Sequence, residues 1–299
     1  MSLLVDSEED AYKHIKWTTP LSTLIGDDFV LPDYYATTHT TLEDALSHRS
    51  GMPRHDMSYG GPNFTRRDMV RSLRHLPLTA EPRTKFQYCN MMFVTVAVAL
   101  ETVTGQWLGD FLRERIWEPL GMDTTFFALP DAKEAVKEGK AEMAKGYKWE
   151  ADKEDFREVE WMEGYELSGA GGVISTVLDY AQWMKMILNQ APPLSKQGHE
   201  ALTDARIINM KLSPPFDAPP LYALGWGILT YNGQRVLFHD GGIPGFGTEL
   251  FLLPDMNWGI VLMGNTAVTS NFAETSLMYH LIDEFLGVPE EKKFDWEEK

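Results

Sequence analysis

The chain has 299 residues, 43% of them apolar, enough to bury a large core as one big domain or two modest ones. Its 27 basic residues stand against 44 acidic ones, a formal charge of -17 that repels nucleic-acid phosphates and anionic membrane surfaces. A single cysteine, Cys89, excludes an internal disulfide and with it the usual staple of a small secreted domain.

The N-terminus carries no positive n-region, and no apolar run approaches the roughly 18 residues of a membrane span. The sequence therefore predicts a soluble, cytoplasmic protein with a small-molecule ligand, no nucleic-acid partner and no membrane partner. The stretch 132–163, where Lys and Glu alternate, reads as a solvated surface without function.

The character of the chain changes near Tyr165, from helical patterning to Gly-punctuated alternation. One domain spanning 1–299 is expected, with a mainly helical lobe over 40–164, a sheet-and-helix lobe over 165–287 and a charged tail over 288–299. In the first lobe Thr40 and Glu43 suggest a capping box that opens a short helix through Ser47, stopped by Gly51 and Pro53. A second helix is expected over 65–74. The strongest helical pattern covers 90–104, with Met91, Val94, Val98, Leu100 and Val103 forming an apolar surface and Gly105 ending the run. Another helix follows over 107–117, closed by Pro119 and Gly121.

In the second lobe a small-residue turn at 169–172 feeds a helix over 177–189, whose first-turn Asp179 complements the dipole. Residues 213–220, rich in proline, read as a loop. Strand-like runs cover 224–231, 234–239, 248–253 and 258–264, with Gly233 marking a hairpin turn, so antiparallel pairing is expected. A final helix over 272–286, with Leu277, Leu281, Ile282 and Phe285 on one side, suffices to cover one face of that sheet.

Ordered segments of the chain resemble the serine β-lactamase-like family of β-lactamases, penicillin-binding proteins and related esterases. TLEDALSHRSGMP at 41–53 is similar to the signature T-x-x-x-L-L-x-H-T-S-G-L-P; FQYCN at 86–90, followed by ETVTG at 101–105, resembles F-x-Y-S-N … V-T-G. EPLGMDTT at 118–125, AGGVIST at 170–176 and FHDGGIPGF at 238–246 resemble P-L-G-M-x-x-T, A-G-G-L-x-S-T and G-H-x-G-x-x-P-G-F. The wording SHRSGMPRHD at 47–56 is close to a subgroup abundant in fungal secondary metabolism. The resemblance implies an α/β (α+β) fold of the β-lactamase/transpeptidase type, an antiparallel sheet flanked by helices with a helical lobe packed against it and the active site in the cleft between.

The family's reaction is acyl transfer through a serine nucleophile. Its S-x-x-K motif sets Lys one helical turn beyond Ser, where the amine helps deprotonate the hydroxyl. No Ser or Thr of this chain has Lys three positions on. SLLVD at 2–6 resembles the text that follows this motif, so the expectation is a fold lacking its N-terminal portion, either through a truncated gene model or as a pseudoenzyme. Hydrolysis by the family route is then expected to be almost absent.

What remains is implied by the resemblance. Tyr88 and Asn90 match Y-x-N, where a tyrosine of depressed pKa beside lysines acts as general base and the amide holds a substrate carbonyl. His239, Asp240 and Gly241 match the H-x-G form of K-[ST]-G: His239 would face the cleft, Asp240 and Gly241 would line it, and the Gly242 N–H would supply half of an oxyanion hole. The plainer alternatives are a buried aromatic capping the next helix for Tyr88 and a satisfied structural imidazole for His239. His48, Arg49 and Ser50 read as a buried hydrogen-bonding turn that holds the lobes together. Arg54, His55 and Asp56 are candidates to line the cleft. Cys89 reads as a small buried hydrophobe rather than a substitute nucleophile.

No zinc motif, α/β-hydrolase elbow or phosphate-binding loop occurs, and the glycines at 169–172 only weakly mimic a dinucleotide loop, so no cofactor and no metal are expected. Three functional classes stay open: part of a serine hydrolase or acyltransferase acting on an ester, amide or lactam of a small metabolite; a silent binding or scaffolding protein; and a non-hydrolytic enzyme of secondary metabolism using Tyr88 and His239 as proton carriers.

Overall fold

The computed structural model describes residues 1–60, 64–162 and 167–294. The expected lobe boundary near Tyr165 and the last five residues of the charged tail lie outside them.

The helical lobe is built from α1 (Ser2–Val5), α2 (Leu21–Ile25), α3 (Tyr34–His39), α4 (Leu42–Leu46), α5 (Arg66–Ser72), α6 (Asn90–Thr104), α7 (Leu108–Leu112), α8 (Glu118–Leu120) and α9 (Leu129–Lys137). Its core draws on residues from Leu4 onward, so the first forty residues belong to it as fully as those after Thr40. Helix α6 matches its expected bounds, and Gly105 closes it in the left-handed conformation at φ 67°. It is buried from Val94 through Leu100 without a break, so it is the lobe's central helix rather than an amphipathic one.

The expected capping box is displaced by one residue. Thr41, not Thr40, caps α4, its hydroxyl accepting from the Asp44 N–H while the Asp44 carboxylate accepts from the Thr41 N–H. The Thr40 hydroxyl instead donates to the Ala36 carbonyl at 2.7 Å, closing the preceding helix. Adjacent threonines satisfy the same local pattern, and only the tertiary fold decides between them.

A hairpin of β1 (Gly146–Glu150) and β2 (Asp155–Val159) follows, within the segment expected to be a solvated surface, and most of its residues are exposed. The second lobe then runs through α10 (Val177–Leu188), α11 (Lys196–Thr203), β3 (Ile207–Ile208), β4 (Leu221–Tyr222), β5 (Gly227–Tyr231), β6 (Gln234–Ile243), β7 (Phe246–Leu253), β8 (Trp258–Gly264) and α12 (Thr269–Leu286). Strands β3 to β8 form one antiparallel sheet in sequential order. Asn232 and Gly233, with φ of 47° and 72°, make the two-residue hairpin between β5 and β6; both positive values suit a type I′ turn, which Asn-Gly favours.

One face of the sheet carries α12, whose Met278, Tyr279 and Ile282 pack on Leu229, Val236, Phe251 and Leu253. Leu277 and Phe285, expected on this buried side, are exposed; the face that meets the sheet is rotated to include Glu274 and Asp283. The other face packs Leu237, Leu250 and Leu252 against Met184 and Ile187 of α10.

Polar contacts join the lobes. Asp179, 7% exposed, accepts from the Thr124 N–H at 2.9 Å and the Thr125 hydroxyl at 2.7 Å, so it ties two lobes as well as opening α10. Arg206 reaches Glu43 at 3.1 Å, and Arg49 donates to the Arg206 carbonyl at 3.1 Å. Gly169 (φ 109°) sits so close to α6 that an added Cβ would lie 2.6 Å from Ala97 Cβ, which explains a glycine at the entry to the second lobe.

Candidate active site

The β5–β6 and β6–β7 ladders end at different places. Strand β5 pairs with β6 only as far as Phe238, opposite Gly227, whereas β7 pairs with β6 on through Ile243. Residues 239–243 are therefore free of β5 along one edge, and it is here that the H-x-G segment meets the helical lobe. Side chains alternate along β6: His239 shares the face of Leu237, while Asp240 shares that of Phe238 and lies opposite Glu249 of β7.

His239 is held at both nitrogens. Nδ1 lies 2.7 Å from its neighbour's carbonyl, Asp240 O, and Nε2 lies 3.1 Å from the hydroxyl of Tyr222. Tyr222 was not singled out in the sequence. It is 4% exposed and its ring is packed among His48, Phe86 and His239, at centroid distances of 5.0, 5.1 and 6.3 Å. Burial pushes its phenol well above the ordinary range, so it stays protonated.

Tyr88 lies on the other side of His48, with ring centroids 4.2 Å apart. The expected depression of its phenol does not occur: burial raises it, the Asp240 charge raises it further, and Arg54 opposes them in part. The cation facing Tyr88 is Arg54, stacked over the ring at 4.5 Å, rather than a lysine. Among the described residues the Tyr88 hydroxyl has no hydrogen-bond partner.

Asn90 opens α6 beside it, with its amide already engaged. Nδ2 donates to the Tyr59 hydroxyl at 3.0 Å and lies 3.4 Å from Asp56 Oδ1; the Tyr59 hydroxyl donates to the same carboxylate, which also pairs with Arg54 at 3.2 Å. Arg54 and Asp56 thus belong to the rim around Tyr88 and Asn90, whereas His55 turns away to the Pro77 carbonyl. Tyr59 is a second rim residue the sequence did not announce.

His48 is 1% exposed and sits at φ 55°. Its Nδ1 accepts from the Cys89 N–H at 3.0 Å, and its carbonyl accepts from the Gln87 N–H at 2.7 Å, so the turn is the buried hydrogen-bonding device expected of it. Burial, helped by the neighbouring His239 and Arg54, lowers this imidazole to about 3 and keeps it neutral. Cys89 is fully buried and its thiol is pushed up to about 11 by burial, the state of a packing residue and not of a nucleophile.

Gly241 and Gly242 complete the strand. The Asn271 amide donates to the Gly241 carbonyl at 2.9 Å, anchoring that end of β6 to α12. Among the described residues no group of three or more His, Cys, Asp or Glu is arranged to hold a metal, and no single helix is long and apolar enough to cross a membrane.

An antiparallel sheet backed by α12, with a helical lobe centred on α6 packed against it, defines the β-lactamase/transpeptidase-like α+β fold. The solved octameric penicillin-binding protein homologue from Pyrococcus abyssi shares it, with a TM-score of 0.79 over 98% of this chain and 65% of that one at 22% identity. The family model described as Beta-lactamase matches residues 8–281, and this chain belongs to that family. It is 44% identical to the unguisins hydrolase ungD' of Aspergillus campestris over 99% of its length, and 42% identical to the unguisins hydrolase ungD of Aspergillus violaceofuscus over 100%. It spans 55% and 56% of those two proteins, about half the length of the curated relatives it matches.

Proposed function

We propose that these 299 residues furnish the proton-handling and substrate-facing part of a cleft for acyl transfer, acting on an ester, amide or lactam of a small metabolite. One observation carries this reading: Tyr88 and His239, which are distant in sequence, converge around His48 and Tyr222 beside the strand edge that β5 leaves free. An exposed strand edge can take the backbone amide of a peptide-like substrate. The Gly242 N–H is a candidate donor to a developing oxyanion, with Gly241 beside it, whereas Asp240 sits on the Phe238 face opposite Glu249. The likeness to fungal hydrolases supports a small-metabolite substrate.

No residue of this chain fills the S-x-x-K role. The 299-residue chain alone is therefore a ligand-binding scaffold rather than a catalyst, since loss of a nucleophile from a unit costs several orders of magnitude in rate. Purified chain should leave nitrocefin and p-nitrophenyl esters at the buffer rate. Saturable turnover that disappears in His239→Gln would overturn the silent-scaffold reading, whereas turnover indifferent to His239 and Tyr88 would overturn the placement of the cleft.

A further inference from the structure

We propose that Tyr222 is a positioning residue that fixes His239 as the neutral Nδ1–H tautomer, with its Nε2 lone pair turned to the Tyr222 hydroxyl. This rests on the reading of the cleft given above for what the ring does there, but the tautomer itself is independent of any reaction.

The argument follows from which groups can donate. The partner of Nδ1 is a backbone carbonyl, Asp240 O at 2.7 Å, which only accepts; Nδ1 therefore carries the proton. A neutral imidazole has one N–H, so Nε2 is bare and must accept. Its partner at 3.1 Å is the Tyr222 hydroxyl, the one group there with a proton to give. Burial keeps the proton on that phenol, so in the neutral ring it is the phenol that donates.

The fold fixes the donor as firmly as the acceptor. Tyr222 sits on the two-residue strand β4, paired with Gly227 on one side and Ile207 on the other. Its ring is wedged between His48 and Phe86, so it cannot swing away from His239 without opening the aromatic cluster. Two hydrogen bonds of opposite sense then set both the protonation pattern and the plane of the ring.

The test is nitrogen-15 NMR of the histidine-labelled chain at pH 8, without substrate, the His239 signals being assigned by their loss in His239→Gln. Wild-type His239 should show a protonated Nδ1 and a bare, hydrogen-bonded Nε2. Tyr222→Phe keeps the ring and removes only the donor, and should lower the Nδ1–H to Nε2–H ratio by roughly fivefold, the equilibrium worth of one net hydrogen bond. Tyr231→Phe removes another buried phenol hydroxyl, bonded to Asp283, and should leave the ratio unchanged. An Nε2–H tautomer in the wild type, an unchanged ratio in Tyr222→Phe, or an equal change in Tyr231→Phe would each overturn the assignment. Because no reaction is measured, failure here is distinct from failure of the acyl-transfer reading, which the hydrolysis assays decide.

Discussion

The N–H of Cys89 donates to Nδ1 of His48 at 3.0 Å across a sequence gap of 41 residues, and this bond anchors the segment between Tyr88 and the first residue of α6, Asn90. It makes the turn at 47–53 a template for the cleft, with an imidazole serving as acceptor inside a cluster of aromatic rings.

Removing that acceptor leaves a buried N–H unpaired and a cavity among Phe86, Tyr88, Phe93 and Tyr222. His48→Ala should therefore lose about 2–4 kcal/mol in urea unfolding followed by tryptophan fluorescence. His48→Asn, which tolerates positive φ and offers an acceptor oxygen, should recover roughly half of that loss. Because the folded-state value is depressed to about 3 from 6.5, the stability tied to the neutral ring is fully present above pH 6.5. It declines as pH falls from there toward 3. An Ala variant as stable as the wild type at pH 7.5 would remove His48 from this role.

Asp44 is completely buried, yet it is met by Arg49 at 2.7 Å and Arg83 at 2.8 Å as well as by Thr41. Burial alone would raise its carboxyl; hydrogen bonds from Arg83, Thr41 and Arg49 outweigh that and hold it below the usual carboxylate range. Asp44→Ala removes the carboxylate that both guanidinium groups share, although Arg49 keeps Glu43 and Arg83 keeps the His39 carbonyl, and should cost about 1.5–3 kcal/mol by thermal melting. The loss should persist in 0.5 M salt, in contrast to that of an exposed pair such as Lys137–Glu134. A shift in melting temperature no larger than that of Glu134→Ala would contradict it.

Glu249, 7% exposed beneath β6, accepts from Thr275 of α12 at 2.9 Å and is raised to about 7 by burial, with Asp240 and Glu274 adding to the rise. A carboxyl raised in the folded state favours the protonated form. Its contribution is complete below about pH 4.5 and is lost as pH climbs through about 7. Glu249→Gln keeps an acceptor for Thr275 without the charge. Relative to wild type it should gain about 1–3 kcal/mol at pH 8.5 and almost nothing at pH 5. Parallel stability curves for the two proteins between pH 5 and 8.5 would exclude this titration.

Much of this architecture was legible in the chain because its signals are local. The largely apolar run of α6 with Gly105 behind it, and the Asn232-Gly233 turn between alternating runs, need no tertiary information. The β1–β2 hairpin was hidden because its strands are short, mostly exposed and set in a charged stretch that reads only as a solvated surface. The buried face of α12 was misjudged because Glu274 and Asp283 point inward while Leu277 and Phe285 stay outside; Phe285 stacks on Trp258 at 4.9 Å.

Tyr88, Asn90 and His239 were singled out by their resemblance to family motifs, but the motif misled about the tyrosine's state. A phenol's acidity depends on which cation faces it and how much water it keeps, and Arg54 and burial are facts of the fold. Tyr222 and Tyr59 were missed for a related reason. Each is an ordinary aromatic in sequence, and its significance lies in a partner brought close across a loop or a hairpin. The aromatic placed between the Pro-rich loop and Gly225-Trp226 was the one signal available for Tyr222.

The Asn232-Gly233 turn has an influence that reaches the far end of its own strand. Strand residues alternate sides with a period of two, so deleting one residue from that hairpin would turn everything after it to the opposite face. His239 would then face α12, and Asp240 would stand beside Tyr222 in its place. An imidazole that can share a proton would be exchanged for a fixed negative charge by a change six residues upstream that touches nothing in the cleft. A two-residue loop on the rim of the sheet thus selects which chemical group the strand offers.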